Sequence, residues 1–536
     1  MEKERIELEA WASEKMTKIL NISIPLVITF LIGVFFWTIY EYGINIPFSD
    51  DYDDILNFLN SFLNTENGGN RIHLIFSTYA YHKLVFLRLV TLLNYFITGN
   101  VNLKILMMIG NLGLIGIWII LVYSSRIKSR WLYLSPCAFL LFQVQYWESI
   151  YMASGSLSFF WGIFFSLASL FFLARTAKSS FMIAVLLAIM ACFTFGTGII
   201  VFPVGVFMLA YQKRKKDLWV WVGAMIVSFM VYFSGYVAPA GFPSIMFFIH
   251  NPFKAFIWLF SFIGSSLGHL NIFPYTTSPG VDLLSVILGL AILGFLIYLS
   301  IKKYYSKNLT IFSFFIFLFL AALLTLRGRF TTEVPYASRY QVVSILFFIL
   351  TFMAAMELAK IENLKRLFPL LLLFAVLFIL FAYRSNYPTV VSHKNRLIFE
   401  FLEWKVKGAG LTYFGDRGRA YKILLESLDK KTYQPGTTEQ LLAELRLDDQ
   451  DYGGYCRRGA FYYLKGDRRQ ALTDFSSSLK INPGYLPAYE NRIIAHFQLG
   501  EYDRVWQDVQ TLTERGYSFP PQFLEELRRV SKKNGA

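Results

Sequence analysis

Residues 20–54 read LNISIPLVITFLIGVFFWTIYEYGINIPFSDDYDD. The first part is an uncharged apolar run long enough to cross the roughly 30 Å of hydrocarbon in a bilayer. It gives way abruptly to four carboxylates, Asp50, Asp51, Asp53 and Asp54, so a membrane exit is followed at once by acid. Ten further apolar segments repeat the run, at 103–123, 131–147, 155–174, 180–195, 197–211, 218–237, 281–301, 309–326, 340–357 and 367–383. Of the 536 residues 55% are hydrophobic and 18% aromatic, with 54 Phe, and only 16% are charged. Mean hydropathy is +0.46. The bilayer is the solvent for such a chain, and the expected fold is all-α: a polytopic helical membrane protein of about eleven spans.

The formal charge of +15 invites a nucleic-acid reading, which the distribution of charge excludes. Lys and Arg gather in short loops between alternate spans: Arg126, Lys128 and Arg130; Arg175 and Lys178; Lys213 to Lys216; Lys302, Lys303 and Lys307; Lys360, Lys365 and Arg366. The intervening loops at 143–155 and 195–198 carry none, so the positive-inside bias puts the N-terminus in the cytoplasm. Residues 1–19 are too acidic for a signal peptide and form a cytoplasmic amphipathic lead-in. An odd number of spans exports the C-terminus, and the location expected is the inner membrane of a bacterium. Residues 79–98, apolar but interrupted by Lys83 and Arg88, are expected to lie along the outer interface with those bases snorkelling to water. A second interface helix is expected at 251–270, flanked by His250 and His269 as structural residues. Cys137, Cys192 and Cys456 are scattered singly, so no disulfide framework or metal knuckle is available.

Beyond 384 the composition becomes that of a soluble domain. KGDRRQALTDF at 465–475 and LGEYDRVWQDV at 499–509 align at a 34-residue offset, with Gly466 over Gly500, Ala471 over Val505, Asp474 over Asp508 and Tyr455 over Tyr489. That period belongs to tetratricopeptide repeats. GDRGRAYKILLESL at 415–428 has the same Gly and Ala spacing and is expected to be a degenerate unit before them. Three parts follow: the lead-in 1–19, a transmembrane domain 20–383 with its outer loop 43–102, and a helical repeat domain 384–536 outside the membrane, suited to an acceptor or a protein partner.

The candidate chemistry lies in the outer loops. Asp50 and Asp51 have a bland reading, in which acids cap a helix at 51–63. Their functional reading is that one is a general base toward an acceptor hydroxyl, its neighbour orienting the acceptor or a divalent metal such as Mg or Mn. Arg71 and His73 follow in the same loop, suited to a lipid phosphate. Arg327, Arg329 and Arg339 stand at the outer ends of two adjacent spans, against the positive-inside bias; charge so placed points to function. They are assigned, with Tyr340, to a donor phosphate, the structural alternative being that Glu333 neutralises one of them. Glu148, beside Gln145 and Trp147 at another membrane exit, is a further candidate. FTFGTGIIVFP at 193–203, with Gly196 and Gly198, is a turn and not a phosphate loop, since it lacks the strand and the Lys.

An aspartate pair just after the first span, a first outer loop with two interface helices and many further spans resemble the GT-C superfamily of membrane glycosyltransferases. That superfamily includes protein mannosyltransferases, the aminoarabinose transferase of lipid A and phage-type O-antigen glucosyltransferases. The resemblance covers about 20–383 and implies a sugar donor on a polyprenyl phosphate, a loop acid as base, and inversion on the non-cytoplasmic face. The acceptor would be a glycan, a lipid or a protein of the cell envelope. The matching acid is Asp50, with Asp51 beside it where many relatives have Glu. Two other readings stand beside this one. An O-antigen ligase or oligosaccharyltransferase would carry its key residues in a late outer loop, and a polysaccharide or lipid transporter would carry charges inside its spans.

Overall fold

The structure is a computed structural model and describes residues 23–79, 82–236, 248, 250–266, 282–359, 361–408, 410–412 and 415–533. The lead-in 1–19 and His269 lie outside these residues. Among the described residues the architecture is helical, save for a two-residue antiparallel ladder of Thr78–Tyr79 with His82–Lys83. Eight helices among the described residues are long and apolar enough to cross a membrane: Ser23–Tyr42, Leu103–Ser124, Ala153–Leu173, Lys215–Phe233, Leu283–Ile301, Leu309–Arg329, Ser338–Leu358 and Leu367–Lys407.

Three expected spans take other forms. Those at 180–195 and 197–211 are shorter helical segments, Lys178–Cys192 and Gly196–Tyr211. The one at 131–147 is broken into Arg130–Tyr133, Ser135–Leu141 and Trp147–Ile150. Pro136 at the start of the middle piece removes an amide donor, and Phe142 leaves helical angles at its end. The buried Gln143 then serves the freed backbone, its Oε1 accepting from Gln145 N (2.5 Å), and Gln145 Nε2 donates to Ser266 O (2.5 Å) on another element.

Contacts at the helix ends sort them into two sets. At one end Leu103 N donates to Asn45 Oδ1 (2.8 Å), Ser154 N to Asp51 Oδ1 (2.8 Å) and Val85 N to Phe193 O (2.9 Å). Lys83 Nζ donates there to Ser234 O (3.1 Å) and Glu148 N to Ser338 Oγ (3.3 Å). At the other end buried Glu357 accepts from Arg126 N (2.8 Å), Tyr304 OH (2.7 Å) and Asn308 Nδ2 (3.1 Å). Arg214 Nη1 caps Leu173 O (2.8 Å), and the Tyr211 and Tyr305 rings meet edge to face. The basic loops after 124, 173, 211 and 301 therefore gather at this second end.

Helices Leu103–Ser124 and Ala153–Leu173 approach closely because small residues line the contact. A Cβ on Gly110 would collide with Ser156 Oγ, and one on Gly113 would lie 2.9 Å from the Phe160 carbonyl carbon. The helix Val85–Thr98 turns Leu93, Phe96 and Ile97 outward. Its bases do not snorkel, however. Lys83 and Arg88 are buried, and Arg88 Nη1 donates to the carbonyls of Leu74, Ile75 and Ser77 (2.9, 2.9 and 2.6 Å). Those carbonyls end the helix Gly68–Phe76, and an arginine fork serves them where water does not reach.

The compact units divide the chain differently from a cut at 384. One joins residues up to Val391 with Tyr413–Pro435; the other joins Ser392–Thr412 with the chain from Gly436. The segment expected as a degenerate repeat, helix Arg417–Asp429, thus belongs with the membrane helices and packs on the first loop. Asn60 Nδ2 donates to Ser427 Oγ (2.8 Å), Thr432 Oγ1 to Asn60 Oδ1 (3.0 Å) and Tyr433 OH to Asn45 O (2.6 Å), while Val101 pairs with Tyr433 as a parallel bridge.

The second unit carries two helix pairs at a 34-residue offset, Tyr452–Leu464 with Arg468–Ile481 and Leu486–Gln498 with Tyr502–Glu514, followed by Pro521–Lys533. Gly466 and Gly500 take positive φ (89° and 74°) in equivalent turns. In each pair a buried Asp receives a forked Arg: Arg458 to Asp474 (2.8 and 2.7 Å) and Arg492 to Asp508 (2.9 and 2.5 Å). Each guanidinium lies over the aligned ring, Tyr455 or Tyr489.

Candidate functional site

The backbone after the first span turns at Ser49, whose φ is +49°. The chain then enters a π-helical turn, Tyr52–Asn57, and continues as Phe58–Asn64. π turns are rare and recur at functional sites. Here the wider turn separates four carboxylates into different surroundings.

Asp51 occupies the N-cap position but makes no side-chain cap. It is fully buried, with Oδ1 accepting from Ser154 N (2.8 Å) and Ser154 Oγ (2.7 Å) and Oδ2 accepting from Phe48 N (3.2 Å). Burial raises its carboxyl to about 6 against these hydrogen bonds. A group so enclosed cannot touch an acceptor, which corrects the expected catalytic role: Asp51 ties the first loop to helix Ala153–Leu173. With both oxygens facing N–H and O–H donors, Asp50 and Asp51 do not fit as joint ligands of Mg or Mn. Among the described residues no group of three metal-ligating side chains forms.

Asp53 is buried and accepts from Arg419 Nη2 (2.6 Å) and Asn57 Nδ2 (3.1 Å). Asp54 is buried, and its Oδ1 makes no hydrogen bond. Burial raises Asp54 well above the ordinary carboxylate value, Asp50 adds to the rise, and Arg88 opposes it.

Asp50 differs from all three. Its side chain is exposed, and its carboxylate has no hydrogen-bond partner among the described residues. Protein nevertheless surrounds it on most sides, and this desolvation raises its carboxyl above the usual value. The positive charges that oppose the rise are Arg339 first and Arg329 second.

Those arginines stand at the facing ends of helices Leu309–Arg329 and Ser338–Leu358 and share carboxylates. Arg329 Nη1 meets Glu333 Oε1 at 2.9 Å, and Arg339 Nε lies 3.5 Å from both Glu333 Oε2 and Glu148 Oε2. Arg339 N donates to Glu148 Oε2 (3.2 Å), and Ser149 Oγ donates to Arg339 O (3.2 Å). Tyr340 is buried beneath, its ring packed on Phe159 and Phe262. Trp258 Nε1 holds the Glu333 carbonyl (3.1 Å).

The structure thus gathers Asp50, Glu148, Arg329, Glu333, Arg339 and Tyr340. Arg327 is not among them: two residues before Arg329 it faces another side of the helix and is exposed. Arg71 caps its own loop, Nε donating to Thr65 O (2.6 Å) with the guanidinium over Phe62, and His73 is exposed. Neither contacts the cluster among the described residues. Glu333 enters the cluster as the bridge between two arginines, its spacing from Arg329 being that of an i,i+4 pair. Arg419 reaches Asp53 across 366 residues, for which the chain offers no local signal. Protein-family models, curated proteins and solved structures give no match to this chain.

Proposed function

We propose that the chain is a membrane glycosyltransferase of GT-C type that moves a sugar from a polyprenyl phosphate to a hydroxyl acceptor of the cell envelope, on the non-cytoplasmic face. One observation carries this reading: an exposed carboxylate without a hydrogen-bond partner among the described residues, Asp50, lies within electrostatic reach of two cationic side chains, Arg339 and Arg329, at the first end of the helices. Asp50 takes the proton of the acceptor hydroxyl as its oxygen attacks the anomeric carbon. The bond from that carbon to the phosphate oxygen breaks on the opposite face, so the configuration inverts. The electron pair and negative charge leave with the prenyl phosphate, where Arg329 and Arg339 stabilise them. Asp51 positions the loop through Ser154.

Eleven crossings are supported by the way the helix ends meet. Each shorter segment, 130–150, 178–192 and 196–211, has one terminus in contact with residues of the first end and the other with residues of the second. The basic loops collect at the second end, which the positive-inside bias makes cytoplasmic. We read the membrane as the inner membrane of a bacterium. The helix pairs from 452 are read as tetratricopeptide-like, offering a face to an acceptor or protein partner.

The test is sugar transfer from polyprenyl-phosphate donors in liposomes holding wild type or Asp50→Asn. Transfer by wild type and its loss in the variant are expected. Full activity in the variant overturns the assignment of the base, and no donor consumption by wild type overturns the enzyme reading.

A further inference from the structure

The Arg329–Arg339 pair is already neutralised before any substrate arrives. Three carboxylates, Asp50, Glu148 and Glu333, stand against two guanidinium groups, and a phosphate brought to that cluster meets an excess of negative charge. Either the arginines stay with their carboxylates and bind no phosphate, or one carboxylate withdraws.

The two carboxylates in contact with Arg339 are held differently. Glu148 Oε2 also accepts the backbone N–H of Arg339 (3.2 Å), and its own amide donates to Ser338 Oγ (3.3 Å), so Glu148 is built into the junction. Glu333 holds Arg329 through Oε1 (2.9 Å), whereas its Oε2 is buried without a hydrogen bond. Arg339 Nε, 3.5 Å from that oxygen, is likewise buried without one. Two opposite charges therefore lie in contact with their donor and acceptor directions unmatched, and the guanidinium plane is left for a better-placed oxygen. Because Trp258 fixes the Glu333 carbonyl, the side chain can swing away by a rotamer change while the loop stays in place.

We propose that Glu333 is a resident counter-anion, occupying on Arg329 and Arg339 the position that a substrate phosphate takes, and that it returns when the prenyl phosphate product leaves. This rests on the glycosyltransferase reading above. In that cycle the carboxylate weakens donor binding and speeds product release. It keeps the arginine pair from retaining the product, whose phosphate carries one more charge than the donor's.

Full-length protein in nanodiscs of zwitterionic phosphatidylcholine, which supply no net-anionic headgroup, is titrated with farnesyl phosphate. Glu333→Gln is expected to bind it roughly five- to tenfold more tightly than wild type, and Arg339→Gln to lose binding. In turnover Glu333→Gln lowers KM for the donor and lowers kcat, with product inhibition by farnesyl phosphate strengthened by the same factor. Should Glu333→Gln fail to fold, Glu333→Asp keeps the charge but shortens the reach and is expected to bind more tightly than wild type by a smaller factor. Equal or weaker binding by the folded Glu333 variant, with binding lost in Arg339→Gln, overturns the counter-anion role and leaves the transferase reading intact. Absence of binding by wild type and variant alike overturns both.

Discussion

At Asp50 a carboxylate open to water is enclosed by protein on most sides, and that combination sets its titration. Desolvation raises its pKa, so the ionised form, which the proposed role as base requires, is lost at a higher pH than for an ordinary aspartate. The acid limb of kcat/KM is expected above the usual carboxylate range, with activity falling as pH falls through it. Asp50→Asn should lower turnover by about 10²- to 10⁴-fold without loss of folded protein, because the side chain makes no hydrogen bond to surrender. Asp51 is raised as well, and there the consequence is for stability. Its folded value of about 6 lies above the 3.8 of the open chain, so the folded state binds the proton more tightly. Stability contributed by that proton is full below 3.8 and is lost as pH rises to about 6. Thermal midpoints should therefore decline across that window in wild type, while Asp51→Asn lacks this slope. The variant should also be less stable by ~1–3 kcal/mol, since its amide presents donors to the Phe48 and Ser154 amides. The acid cluster and the misplaced arginines were legible because charge at a membrane exit is rare. The division of labour among four aspartates was not, because it depends on Ser154 and Arg419, distant in the chain.

The helix Arg417–Asp429 repeats the Gly and Ala spacing of the later pairs, yet it folds on the first loop. Spacing alone could not separate the two outcomes. What decides is the partner: Asn60, Asn64 and Asp53 offer polar groups that Ser427, Glu426 and Arg419 satisfy. Arg419→Ala is expected to destabilise by ~1 kcal/mol, the half-exposed guanidinium being partly screened. It should also shift the acid limb of activity upward, as the uncompensated Asp53 charge disfavours ionised Asp50. Arg419→Lys should restore part of both, which a pH–rate profile beside thermal melts will show. The 34-residue offset was readable from Gly466, Gly500, Asp474 and Asp508. The arginines that pair with those acids, Arg458 and Arg492, sit at the same offset, but the sequence does not say which acid each of them meets, because the partners lie on different helices.

Across the whole molecule the long apolar helices were evident from composition, and the difficulty lay in the segments too short to pass a length test. Pro136 and the glutamines after it accompany the division of one expected span into three pieces, while Gly198, whose Cβ would collide with the Ala191 carbonyl, lies at a sharp turn between two shorter helical segments. Cysteines placed at Lys128 and Lys430 test the resulting arrangement. A membrane-impermeant maleimide is expected to label the second from outside intact cells and the first only after permeabilisation. Labelling of both from one face would break the eleven-crossing reading.

The strap between 415 and 435 also bears on biogenesis. The ribosome must add the 366 residues that separate Asp53 from Arg419, which at ordinary synthesis rates takes roughly 20 to 70 s. Throughout that interval the nascent first loop waits with a buried acid unmatched. A chain released early, before the strap emerges, would keep Asp53 without its arginine, so a segment made late in synthesis completes a contact that the first loop has held open since it was made.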